Sequence, residues 1–141
     1  AKLPNIIGIK DASADLSRVA RHTALAGKDF IQISGEDGTA VGFNSQGGVG
    51  CISVTANVAP YQCAAMQEAT LRGDYAEARR INDTLARLHR AMFLEASPAP
   101  AKYALSLLGL CADEVRLPLV PVQSADVKKE IEAGMKEAGL L

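Results

Sequence analysis

A chain of 141 residues with 48% hydrophobic and 22% charged side chains has the composition of one ordinary globular, core-forming domain, which excludes disorder. Its 15 Lys and Arg against 16 Asp and Glu leave a formal net charge of −1 with the basic residues scattered, so no nucleic-acid partner is expected. The apolar runs are broken by Gly, Asp or Lys well short of the roughly 20 residues that span a bilayer, so no membrane partner is expected either.

Ile6-Ile7-Gly8-Ile9-Lys10 predicts a short buried strand, followed by Ser13 or Asp15 as N-cap and an amphipathic stretch through Leu16, Val19, Ala20 and Ala24. Residues 30–34, Phe-Ile-Gln-Ile-Ser, predict a second strand ending at Gly35. A short helical stretch from Thr39 to Ser45 then leads to a third strand over Gly50 to Val54. Strands recurring about every 20 residues with helices between them imply parallel pairing, because a parallel neighbour needs a crossover of a dozen residues or more. The fold class is therefore α/β.

After Val58 the pattern turns helical. Pro60 suits a first turn, Tyr61 to Leu71 is helical, and Asp74 caps a helix from about Tyr75 to Phe93. That helix carries Ala78, Ile81, Leu85, Leu88 and Met92 at alternating three- and four-residue steps, opposite Glu77, Arg80, Asp83 and Arg87, so one face packs and the other is wet. Ser97-Pro98-Ala99-Pro100 breaks the chain, Ala101 to Leu108 is helical, and Leu117 to Pro121 is an extended connector. Ser124 caps a last helix to about Ala138. The chain thus divides into βα units over residues 1–58 and a helical part over residues 59–141. Three strands cannot close a barrel, which takes about eight, so another chain or an N-terminal segment is expected to cover the unpaired edges.

Cys51, Cys63 and Cys111 are odd in number and far apart, without a metal-ligand spacing. Neither a disulfide framework nor a zinc site is expected, and a reducing, cytoplasmic setting fits. His22 and His89 stand alone in helix-like segments and read as surface or packing residues. The chain starts with Ala and shows no signal-type segment, so it reads as if cut from something longer.

Alternation puts Ile6, Gly8 and Lys10 on one strand face, with the lysine at the carboxyl end. In a parallel barrel that end forms the catalytic rim, and Lys10 would project into its top with Gly8 leaving space beneath. A Schiff base needs a neutral amine, and an apolar wall disfavours the charged form of a lysine. By pattern alone, the favoured reading of Lys10 is a strand-end side chain snorkelling to solvent.

The run Asn5-Ile6-Ile7-Gly8-Ile9-Lys10-Asp11-Ala12-Ser13 resembles the Schiff-base strand of the dihydrodipicolinate synthases, with Lys10 at the family's catalytic lysine. Ser34-Gly35-Glu36-Asp37 resembles the next strand end, and Gly47-Gly48-Val49-Gly50-Cys51-Ile52-Ser53-Val54-Thr55-Ala56-Asn57-Val58 resembles the one after it. The likeness continues through Pro98-Ala99-Pro100-Ala101-Lys102 and Arg116-Leu117-Pro118-Leu119 to the end. Ser97 departs from the Asn that commonly precedes this Pro in the family.

The resemblance implies the C-terminal part of a (β/α)8 TIM barrel, three parallel strands with their helices, followed by a C-terminal helical segment. It implies a homotetrameric, cytoplasmic lyase that condenses pyruvate with aspartate semialdehyde through an imine on Lys10, on the way to diaminopimelate and lysine. Gly35 and the backbone of Ile52 would line the pyruvate pocket, and no metal or other cofactor would take part. The family's proton-relay hydroxyls and the Arg for the second substrate precede the Schiff-base strand, so they must come from an N-terminal half of the barrel. By itself the chain is expected to turn over little or nothing.

Two other readings stay open: a catalytically inactive half-barrel fragment, or a related pyruvate-dependent aldolase of the N-acetylneuraminate lyase or keto-deoxy-sugar kind. Glu36 and Asp37 are adjacent and point different ways, so capping and solvation explain them. Asp11 reads as a loop or cap residue. Gly42 to Gly50 lacks the Lys and acidic residue of a nucleotide site.

Overall fold

In the computed structural model, which describes residues 3–141, the apolar stretch before Lys10 forms the strand β1, Gly8–Asp11. It pairs in parallel with β2, Ile31–Ser34, in the register Gly8↔Ile31, Ile9↔Gln32, Lys10↔Ile33 and Asp11↔Ser34. Paired residues of a parallel ladder share a face, so Gly8, Lys10, Ile31 and Ile33 stand on one side and Ile9, Asp11, Gln32 and Ser34 on the other.

The polar side is the covered one. Asp11, Gln32 and Ser34 are buried, whereas Ile31 on the lysine side is 39% exposed. Helix α1, Ser17–Ala26, satisfies the buried groups: Gln32 Nε2 donates to Val19 O at 3.1 Å and to Thr23 Oγ1 at 2.9 Å. A buried amide that finds its partners costs little, and these bonds tie β2 to the helix that precedes it.

Three expectations for this part are corrected. Of the apolar positions on α1 only Val19 is buried; Ala20 and Ala24 are exposed, because the helix presents Val19 and Thr23 to Gln32. Helix α1 starts at Ser17 with Leu16 in the cap position, although Asp15 still accepts from the Ser17 amide at 3.0 Å and from its hydroxyl at 2.6 Å. The third strand shrinks to a single parallel bridge, Ser34↔Cys51. Val49 N donates to Gln32 O, Ser34 N to Gly50 O and Ile52 N to Ser34 O, at 2.8–2.9 Å, and the chain then turns into a 3-10 turn at Thr55–Asn57 before a ladder of strand length can form. Among the described residues the architecture is a partial α/β arrangement with two parallel strands and six α-helices.

Between β2 and that bridge lie a 3-10 turn, Asp37–Thr39, and the helix α2, Ala40–Ser45. The remaining helices are α3, Pro60–Leu71; α4, Tyr75–Ala91; α5, Ala99–Leu107; and α6, Ala125–Glu137. The chain divides into two compact units. One runs to Ser53 and takes in Ala65–Arg79; the other is Val54–Ala64 with Arg80–Leu141.

In the first unit Asn44 of α2 is buried and donates to Gln67 Oε1 at 2.7 Å and to Thr70 Oγ1 at 2.8 Å on α3. In the second, α4 buries Ile81, Leu85 and Leu88 of the expected stripe, and Met92, just past its end, is buried too. Helix α6 lies so close to α4 that a Cβ on Gly134 would sit 2.9 Å from the Leu88 backbone, a contact only glycine permits. Arg87 locks the same pair of helices, donating to both carboxylate oxygens of Glu130 at 3.1 and 2.8 Å and to Glu137 at 2.8 Å.

The caps behave as local chemistry dictates. Asp74 accepts from the Glu77 amide at 3.0 Å and Ser124 from the Val127 amide at 3.3 Å. Helix α5 starts two residues earlier than expected, since Pro100 does not break the chain but sits in the first turn, where its missing N–H costs nothing. His89 is a packing residue, buried with Nδ1 2.8 Å from Thr55 Oγ1.

Candidate active site

The site is built at the carboxyl ends of β1 and β2 and on the segment bridged to β2. Lys10 is the penultimate residue of β1 and shares its face with Gly8, Ile31 and Ile33. An open groove of about 360 Å³ runs along this face, lined by Lys10 together with Ile6, Gly8, Ile31, Ile33 and Ile52. Ile6 and Ile52 are 47% and 52% exposed, so the groove is an apolar surface open to solvent in these residues.

Gly35 follows β2 and continues the ladder by donating its N–H to Asp11 O at 2.7 Å. The Lys10 side chain lies directly over it: a Cβ built on Gly35 would stand 2.6 Å from Lys10 Cε and 2.8 Å from Ala12 Cβ. The missing side chain therefore makes room for the lysine stem. Lys10 and Gly35 are thus in contact, and Ile52 lines the same groove as Lys10, so the three residues singled out in the sequence meet at one rim. The face Lys10 stands on is open in these residues and its side chain is exposed.

Asp11, next to the lysine, points to the opposite, helix-covered face. It is 7% exposed and accepts from Arg18 Nε at 2.6 Å and from the Ser13 amide at 2.9 Å. Burial pushes its carboxyl up, but hydrogen bonds from Ser13 and Arg18 and the charge of Arg18 outweigh this and bring it from 3.8 down to about 2. This residue anchors the strand end to α1, in keeping with the loop or cap role read for it.

Glu36 caps the turn after Gly35, accepting from the Gly38 amide at 3.2 Å. Asp37 does not face solvent as expected. It is 2% exposed and accepts a hydrogen bond from Ser53 Oγ, because the chain folds the start of the 3-10 turn against the segment after Ile52. Reading the sequence missed this pair; the available signal was that alternation turns Asp37 away from Glu36 and that each partner lies within two residues of a predicted site residue.

Chemically, the arrangement offers a primary amine at a strand end, an apolar groove beside it, and the backbone of Gly35 and Ile52 within the same rim. Among the described residues no three His, Cys, Asp or Glu side chains gather as a metal site would require.

The model of the dihydrodipicolinate synthetase family matches residues 1–138. The 4-hydroxy-tetrahydrodipicolinate synthase of Ruegeria pomeroyi is 60% identical over 141 residues, which are 100% of this chain and 48% of that protein. The protein of the same name from Parvibaculum lavamentivorans is 58% identical over 140 residues, 99% of this chain and 48% of its own length. Among solved structures, dihydrodipicolinate synthase from Thermotoga maritima is 37% identical with a TM-score of 0.92, covering 99% of this chain and 48% of that one. The chloride-inhibited enzyme from Acinetobacter baumannii, complexed with pyruvate, is 37% identical with a TM-score of 0.91, again over 99% and 48%. The chain therefore spans about half the length of the curated relatives it matches. A family model matched almost end to end, relatives near 60% identity and folds that superpose along the whole chain agree: this chain belongs to the dihydrodipicolinate synthetase family.

Proposed function

We propose that the chain supplies the last strands, final helix and helical tail of a (β/α)8 barrel that condenses pyruvate with aspartate semialdehyde to 4-hydroxy-tetrahydrodipicolinate. The observation that carries this is the placement of Lys10 over Gly35 at the end of β1, on the open isoleucine face. Such a face is an interior waiting for cover: apolar surface of this kind is stabilised at roughly 25 cal/mol per Å² when buried, and the preceding barrel strands are its occupant. Enclosed in that way, Lys10 would be the nucleophile.

Its amine adds to the keto carbon of pyruvate, and water leaves to give the iminium. The cation draws electrons from the adjacent C–H bond, so a methyl proton is lost and an enamine forms. The enamine carbon bonds to the aldehyde carbon of the second substrate, whose oxygen takes up a proton. The amine of that substrate then attacks the imine carbon, closes the ring and releases Lys10. Gly35 and the backbone of Ile52 line the pyruvate pocket, and the residues that shuttle protons and bind the second substrate come from the N-terminal half. No cofactor is required, because the iminium is itself the electron sink.

The family also points to a cytoplasmic homotetramer. Exposed apolar side chains such as Leu110 at 69% and Leu117 at 86% support an oligomer that covers them, and no helix of the described residues is long and apolar enough to cross a membrane.

The test is borohydride reduction with pyruvate, followed by peptide mass spectrometry, on this chain fused behind the N-terminal half of the Ruegeria pomeroyi relative. A reduced pyruvate adduct on Lys10 is expected. An adduct on another lysine, or none in a folded protein, removes the proposal.

A further inference from the structure

The pair of buried Asp37 and half-buried Ser53 has no part in the chemistry above, yet it sits between the two backbone segments that the pyruvate pocket needs. Ser34 Oγ accepts from the Glu36 amide at 3.1 Å and donates to Glu36 O at 3.0 Å, which sets the turn containing Gly35. Ser34 O in turn accepts from the Ile52 amide at 2.8 Å. Asp37, two residues past Gly35, closes the ring by accepting from Ser53 Oγ, one residue past Ile52. The ring ties the two loop ends together beside β2, and at 2% exposure Asp37 is screened little by solvent.

We propose that Asp37 is a positioning residue: through Ser53 it holds the backbone of Gly35 and Ile52 at the spacing that lines the pocket of a 2-keto acid bound to Lys10. It does not touch the reacting atoms. The role concerns the keto-acid subsite alone, so its loss weakens binding of that substrate and leaves the aldehyde subsite, formed by the other half of the barrel, unaffected. The inference rests on the reading of Lys10 as the imine-forming amine.

The experiment compares Asp37→Ala, Ser53→Ala and the double variant in the fused enzyme, measuring KM for pyruvate and for the aldehyde separately. Borohydride trapping counts the competent sites, and a thermal melt checks the fold. Each single variant is expected to raise the pyruvate KM about tenfold, in the range that loss of a positioned contact produces, with the aldehyde KM within about twofold. Because the two side chains share a hydrogen bond, the double variant is expected to exceed the stronger single by much less than the product of the two. Ser53→Ala is the milder change and keeps the question answerable if Asp37→Ala fails to fold. A folded Ser53→Ala with an unchanged pyruvate KM, or fully multiplicative singles, overturns the positioning role while leaving Lys10 intact. If the unmutated enzyme takes no label on Lys10, both readings fall together.

Discussion

Gly35→Ala isolates the contact between the strand-end glycine and the lysine. The added Cβ would lie 2.6 Å from Lys10 Cε and 2.8 Å from Ala12 Cβ, against an ordinary contact of 3.4 Å or more, so the lysine stem must retreat by nearly 1 Å. The Gly35 backbone is not among the positive-φ glycines, so alanine adds no backbone strain and the effect is steric. Overpacking of this kind costs about 1–3 kcal/mol; Lys10 is exposed and can swing aside but the Ala12 Cβ cannot, and a Gly to Ala change recovers about 0.4–1 kcal/mol through the unfolded chain. Stability should therefore fall by about 1–2 kcal/mol. Catalysis should not be so tolerant, since misplacing a reacting group by about 1 Å costs on the order of 10²-fold. The assay is the rate of pyruvate-dependent borohydride labelling of Lys10 in the fused enzyme, beside its melting temperature. A hundredfold slower labelling with a melt lowered by only a few degrees is expected; labelling at the parental rate would refute the claim that Gly35 makes room for the lysine.

Asp11→Asn removes a carboxylate held at about 2 instead of 3.8, a difference worth about 2 kcal/mol of stability at neutral pH. The depressed value means this contribution is complete above about pH 4 and disappears as pH falls through about 2, so parent and variant should differ in urea unfolding at pH 7 and converge in acid. Gly134→Ala should lower stability by about 1–3 kcal/mol, because the atoms it meets are the Leu88 backbone and cannot swing away. Thermal melts would read this directly, and an unchanged melting temperature would contradict the close α4–α6 approach. Arg87→Gln should lower the melting temperature by an amount that shrinks with added salt, since its two partners lie on a half-exposed surface. The 141 residues without an N-terminal half should give no measurable turnover, and mixing in that half as a separate chain should restore labelling of Lys10.

What the sequence determined by itself is what depends on near neighbours. The period of two placed Ile6, Gly8 and Lys10 on one face, the three- and four-residue steps on α4 named the residues that are buried, and Asp74 and Ser124 cap the helices they precede, because each of these rests on bonds or contacts a few residues long. Tertiary structure decided which face of β1 and β2 is covered. Alternation is the same whichever side a helix packs on, and only the bonds that Gln32 donates to Val19 and Thr23 reveal that the polar side is inside and that Ile31 and Ile33 face the groove. It also decided that the third strand stops at one bridge, since strand length depends on how long two segments stay side by side. The Asp37–Ser53 bond, spanning 16 residues, is invisible to any local pattern because nothing in either segment says that the other arrives beside it.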